Sequence, residues 1–159
     1  MPVIIDGHNL LHAILKTGGG SEAISDVGLC RIIGSYFKLT GQKGEIIFDG
    51  TGPSDKSGFD YINSLEVFFA GLGTDTDTII EDKIGASTAP KRLAIVSSDR
   101  RLRKAARARK ATSVKSEVFW NNIQKQLNRK RANKEPMAKR QGLSESETKK
   151  WLEIFGLEQ

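Results

Sequence analysis

Pro2-Val3-Ile4-Ile5-Asp6-Gly7-His8-Asn9-Leu10-Leu11 is the stretch that decides the fold. Three β-branched residues run straight into a carboxylate. An apolar strand with no polar alternation is buried on both faces, as strands of parallel sheets are. Gly7-His8-Asn9 breaks it, and Leu10, Leu11, Ile14 and Leu15 follow at helical spacing. The same pattern recurs down the chain. Glu45-Ile46-Ile47-Phe48-Asp49 is a second short strand ending in Asp, and Leu65-Glu66-Val67-Phe68-Phe69 a third. Arg92-Leu93-Ala94-Ile95-Val96-Ser97 is a fourth, running into Ser98-Asp99, and Thr112-Ser113-Val114-Lys115 is a short edge strand. Helical periodicity fills residues 21–39, 101–110 and 117–127, and Thr76 reads as the N-cap of a helix reaching Ile84. Strands alternating with helices predict a three-layer α/β/α sandwich with a mostly parallel central sheet.

The 159 residues suffice for one domain with a sizeable core. Residues 1–127 read as that domain, residues 128–142 as a basic linker containing Pro136, and residues 143–159 as a C-terminal helix. Ser144-Glu145-Ser146-Glu147 is its capping box, Trp151, Leu152 and Phe155 its apolar face, and Gly156 its stop. No apolar run approaches the ~20 residues that span a bilayer. The first residues lack the basic region of a signal peptide. A single cysteine, Cys30, excludes an intramolecular disulfide and a cysteine-rich zinc site, which points to a reducing, cytoplasmic setting.

Charge is segregated along the chain. Between Arg100 and Arg140 fifteen Lys and Arg stand against Glu117 and Glu135, a balance of +13, within a net charge of +6. A basic stretch beside an acidic body suits a polyanionic partner, nucleic acid before others, although a solvated helical face explains it equally well.

Three strands end in carboxylates, Asp6, Asp49 and Asp99, and Asp75-Thr76-Asp77 sits where a loop meets a helix. In a parallel sheet these points share the carboxyl edge, where such folds bind ligands. Glu81 lies four residues after Asp77, on the same helix face. Converging carboxylates repel one another, and a hard dication such as Mg²⁺ relieves the repulsion. Asn9 can orient an Asp or a water without adding charge. Taken singly, each Asp is more often a turn former or a cap.

The blocks Val3-Ile-Ile-Asp6-Gly-His-Asn9-Leu-Leu, Ile47-Phe48-Asp49-Gly50, Thr76-Asp77-Thr-Ile-Ile-Glu81 and Val96-Ser-Ser98-Asp99-Arg100 resemble the NYN domains, which are PIN-like nucleases, and most of all their bacterial YacP-like branch. The resemblance covers about residues 1–120 and implies a flavodoxin-like sandwich with a metal-dependent endoribonuclease site. It assigns Asp6 as the first metal-binding aspartate, Asn9 as its supporting asparagine, and Asp49, Asp77 and Asp99 as further site acids. The family often has a second acid after the Asp77 position, where this chain has Thr78; Asp75 has no counterpart, and Glu81 is the candidate replacement.

These readings give a hydrolase cleaving RNA with Mg²⁺ or Mn²⁺. Asp6, Asn9, Asp49, Asp77 and Asp99 are the catalytic set, and Asp6, Asp77, Asp99 and Glu81 the candidate metal ligands. Ser98, Arg100, Arg101, Arg103, Lys104 and Arg107 are expected to hold the RNA backbone. Water rather than the ribose 2′-hydroxyl would attack, leaving a 5′-phosphate. The rival reading is a non-catalytic RNA- or ribosome-binding module, motivated by Thr78; a small-molecule phosphatase fits the basic stretch less well. His8 and His12 have a spacing that zinc sites use but lack a third ligand. Gly50-Thr-Gly-Pro-Ser54 is glycine-rich without the Lys of a Walker loop. Cys30 and Trp120 read as core.

Overall fold

The computed structural model describes residues 2–17, 24–62 and 64–134. The Gly18–Gly20 loop, the start of the helix expected over residues 21–39, the linker beyond Lys134 and the C-terminal helix with Trp151 lie outside the described residues. Five strands, β1 (Pro2–Asp6), β2 (Lys43–Phe48), β3 (Leu65–Phe69), β4 (Ala94–Val96) and β5 (Thr112–Val114), form one sheet in the order β3-β2-β1-β4-β5. Every neighbouring pair is parallel. Five helices connect them: α1 (Gly7–Lys16), α2 (Asp26–Thr40), α3 (Thr76–Ala86), α4 (Arg100–Ala108) and α5 (Ser116–Lys134).

Strand alternation divides the interior in two, because successive side chains point to opposite faces. Val3, Ile5, Ile46, Phe48, Ala94 and Val96 face α1, α2 and α5 in one core. Ile4, Ile47 and Ile95 face α3 and α4 in the other. All nine are buried, so the apolar runs lack polar positions because neither face meets water. Fully burying one such side chain contributes about 1.5–3 kcal/mol. The three-layer sandwich expected from the sequence is therefore present. Its strand order is 3-2-1-4-5, whereas flavodoxin's is 2-1-3-4-5, so the likeness to flavodoxin holds for the layers and not for the order. The switch point lies between β1 and β4.

Several element ends differ from expectation. Gly7-His8-Asn9 is no break: α1 starts at Gly7, with Asp6 as its N-cap. A Cβ at Gly7 would lie 2.5 Å from the Phe48 ring, so only glycine lets α1 leave the strand this close to β2. α2 begins at Asp26 behind a Ser25 cap. Thr76 does not cap α3. Asp75 does, accepting the Thr78 N–H at 2.6 Å, which frees the Thr76 hydroxyl for a longer-range bond. β4 shrinks to three residues behind a 3₁₀ turn at Pro90–Arg92. α5 continues past Leu127 to Lys134: its buried face ends at Leu127, but the Arg, Lys and Ala that follow favour the helix on propensity alone. The first seven residues of the segment read as a linker are thus helical. Trp120 and Cys30 are core residues, as expected, and burial pushes the Cys30 thiol up to about 12.

Candidate active site

The carboxyl ends of β1, β2 and β4 deliver Asp6, Asp49 and Asp99 to one edge, and α3 brings Asp77 there. Asp6 is 6% exposed. It accepts the Asn9 N–H at 3.4 Å and the Ser97 hydroxyl at 3.3 Å. Burial, with Asp77 and Asp49 adding negative charge nearby, raises its pKa to about 6. Asp77 is also raised, first by desolvation and then by the charge of Asp99; Arg101 opposes this. Carboxylates whose negative charges raise their neighbours in this way form one electrostatic unit.

Asp49 is held differently. One oxygen accepts the Thr76 hydroxyl at 2.5 Å and the Thr76 N–H at 3.1 Å, and these bonds lower its pKa. The other lies 3.3 Å from His8 Nδ1, which is also 3.1 Å from the Asp49 N–H. Nδ1 can donate to the carboxylate or accept from the amide, one at a time. The β2–α3 side of the edge is fixed further by a bridge between Gly50 and Gly71, both at positive φ.

Asp99 is the N-cap of α4, accepting the Arg101 N–H at 2.8 Å and the Leu102 N–H at 3.4 Å. Its own N–H donates to the Ser97 hydroxyl at 3.1 Å, so buried Ser97 ties Asp99 to Asp6. Asn9 Oδ1 accepts the Ser98 N–H at 2.9 Å and the Ser116 hydroxyl at 2.6 Å. The Ser98 hydroxyl accepts the Ser116 N–H at 3.0 Å and donates to Glu117 at 2.7 Å.

The sequence-selected residues therefore separate into groups. Asp6, Asn9, Asp49, Asp77 and Asp99 come together at one edge. Glu81 is near but is engaged by the Arg101 guanidinium, which also reaches Thr78 Oγ1 at 3.4 Å. Ser98 spends its hydroxyl inside the protein. Arg100, Arg101 and Lys104 line an open cleft with Glu81, Asp99, Ala105 and Ala108. Arg107 is exposed one turn further on, while Arg103 is half-buried with Nε lacking a hydrogen-bond partner. Sequence reasoning missed Ser97, Thr76, Ser116 and Glu117. The Ser-Glu pair after β5 carried a signal, since it reads as a helix start.

An all-oxygen set of mutually repelling carboxylates suits a hard dication. Among the described residues no three His, Cys, Asp or Glu side chains close a cage. A cation here would be held by one or two carboxylates, Asp6 and Asp77 foremost, with water completing its shell, the usual manner of Mg²⁺. No helix among the described residues is long and apolar enough to cross a membrane.

The model of the YacP-like NYN domain family matches residues 3–155. Two solved structures are similar: Rae1 (YacP) from Bacillus subtilis and its W164L mutant. The mutant has 16% identity and a TM-score of 0.64, covering 99% of this chain and 92% of that one. The unsubstituted protein has 17% identity and a TM-score of 0.62, covering 98% and 92%. No curated protein matches the sequence.

Proposed function

Because the chain belongs to the YacP-like NYN domain family, within the PIN-like nuclease superfamily, we propose that it is an endoribonuclease that hydrolyses RNA phosphodiester bonds with Mg²⁺ or Mn²⁺. The observation that carries this is the edge shared by Asp6, Asp49, Asp77 and Asp99, where burial and mutual charge raise both Asp6 and Asp77. Asp6 and Asp77 would hold the cation, with Asp99 beside them. When bound, the cation supplies charge neutralisation at the phosphodiester and lowers the cost of deprotonating water. The chain's own part is positional. Ser97 fixes Asp6 relative to Asp99, and Thr76 holds Asp49 ionised. Arg100, Lys104 and Arg107 bind the flanking phosphates without reading sequence. Glu81 serves as the partner that orients Arg101 rather than as a metal ligand. The cellular setting is cytoplasmic and reducing, where the buried Cys30 thiol stays inert.

The test is cleavage of a labelled RNA of mixed structure with Mn²⁺, Mg²⁺ or EDTA. Asp6→Asn and Asp99→Asn keep cap-forming side chains, so both retain the fold. Metal-dependent cleavage ending in 5′-phosphates, lost in both variants, is expected; products with cyclic phosphates would contradict the hydrolytic mechanism. One observation favours a second reading, an RNA- or ribosome-binding module: Glu81 and Thr78, which stands where the resemblance to NYN domains often implies an acid, are both bonded by Arg101. Salt-sensitive RNA binding without cleavage under either metal would select it.

A further inference from the structure

Asn9 has an unusual bonding pattern for a polar residue at a reaction edge. Its Oδ1 receives two donors, the Ser98 backbone N–H at 2.9 Å and the Ser116 hydroxyl at 2.6 Å. A backbone N–H can only donate, so the atom facing it must be the oxygen, which fixes the orientation of the amide. Both oxygen lone pairs are then occupied. Asn9 has no acceptor left for a cation, while its NH₂ group keeps two donors and is not bonded to any described residue.

The hydroxyl that completes this arrangement comes from the start of α5. Ser116 is fully buried, and its own N–H is anchored on Ser98 Oγ at 3.0 Å. Ser98 Oγ in turn donates to Glu117 at 2.7 Å. The Glu117 carboxylate accepts that hydrogen bond, which leaves the oxygen lone pairs of Ser98 free for the Ser116 amide. Three residues, Ser98, Ser116 and Glu117, thus hold the Asn9 side-chain amide in one orientation.

We infer that Ser116, supported by Glu117 through Ser98, is a positioning residue that turns Asn9 into a pure hydrogen-bond donor for a phosphate oxygen of the substrate. The role rests on the nuclease reading above. Removing the Ser116 hydroxyl frees one lone pair of Oδ1 and loosens the amide, yet it touches none of the carboxylates. Its effect therefore falls on turnover and not on cation binding.

The experiment compares wild type, Ser116→Ala and Ser116→Thr, each checked for folding by its urea midpoint. kcat and KM are measured on labelled RNA, and Mn²⁺ affinity by titration of the metal alone. In Ser116→Ala kcat falls about tenfold or more, with KM and Mn²⁺ affinity within twofold of wild type. Ser116→Thr, which keeps the hydroxyl, restores kcat. An unchanged kcat in Ser116→Ala overturns the inference, as does a loss matched by an equal loss of Mn²⁺ affinity. A wild type that cleaves no RNA refutes the nuclease reading instead. The orientation of Asn9 is then read from its side-chain amide pair in a ¹⁵N NMR spectrum. That pair shifts or broadens in Ser116→Ala and stays in place in Ser116→Thr; an unmoved pair in Ser116→Ala overturns the inference on its own.

Discussion

Replacing Asp6 by Asn should stabilise the metal-free protein at neutral pH, and the gain should vanish in acid. Burial raises the pKa of Asp6 in the folded protein to about 6, against 3.8 for an ordinary aspartate. The folded state therefore binds this proton more tightly than the unfolded chain does. As pH rises from below 3.8 to above 6, wild type loses stability through this group, because ionisation is easier once unfolded. The difference between the two values corresponds to roughly 3 kcal/mol. Asp6 is almost fully buried, so solvent screening removes little of this. Asn has the same shape, can still cap α1 and carries no charge, so the difference between the two proteins isolates the ionisation. Urea unfolding of both proteins at pH 7.5 and pH 4, in EDTA, measures it. The variant should be more stable by up to about 3 kcal/mol at the higher pH, with the difference shrinking by roughly 2.4 kcal/mol at the lower one, where the unfolded carboxyl is still partly ionised. A difference independent of pH would show that the carboxylate is not held against its charge, and the electrostatic account of the site would fail.

Other perturbations address neighbouring parts of the structure. Asp75→Ala removes only the cap of α3 and should cost about 1 kcal/mol in urea unfolding while sparing cleavage, whereas Asp77→Asn should abolish cleavage with little effect on stability. Thr76→Val removes a hydroxyl bonded to a carboxylate and should cost about 1.5–3 kcal/mol by the same assay, with Thr76→Ser close to wild type. Gly7→Ala forces a Cβ against Phe48 and the Ile47 carbonyl and should cost about 1–3 kcal/mol by thermal unfolding. Arg100→Gln with Lys104→Gln should reduce the slope of log binding constant against log salt for single-stranded RNA by about 1.4, the value for two phosphate contacts.

The fold was legible because the strands carry their burial in their composition. Val3-Ile4-Ile5, Glu45 to Phe48 and Leu93 to Val96 read as two-faced strands, and two-faced strands require helices on both sides. The carboxylates were legible by the same logic, since parallel strands share a carboxyl edge and three of the strands, β1, β2 and β4, run into an acid. The illegible parts depend on distant partners. Nothing local says that Asp75 rather than Thr76 caps α3; the decision comes from Asp49, 27 positions from Thr76, which takes the Thr76 hydroxyl. Ser116 lies 107 positions from the Asn9 it holds, a separation no window reveals. The helical spacing of Glu81 to Asp77 suggests a ligand, and nothing local shows that Arg101, 20 positions away, bonds that carboxylate. Gly7 suggests a turn and a break before α1; in the structure it marks a close approach to Phe48.

If the shared edge holds a cation through Asp6 and Asp77, titration of Mn²⁺ into wild type, Asp6→Asn, Asp77→Asn and Asp75→Asn shows it. Affinity should fall at least tenfold in Asp6→Asn and in Asp77→Asn and stay within twofold of wild type in Asp75→Asn. Equal affinities in all four proteins, or no saturable binding in wild type, would contradict the account.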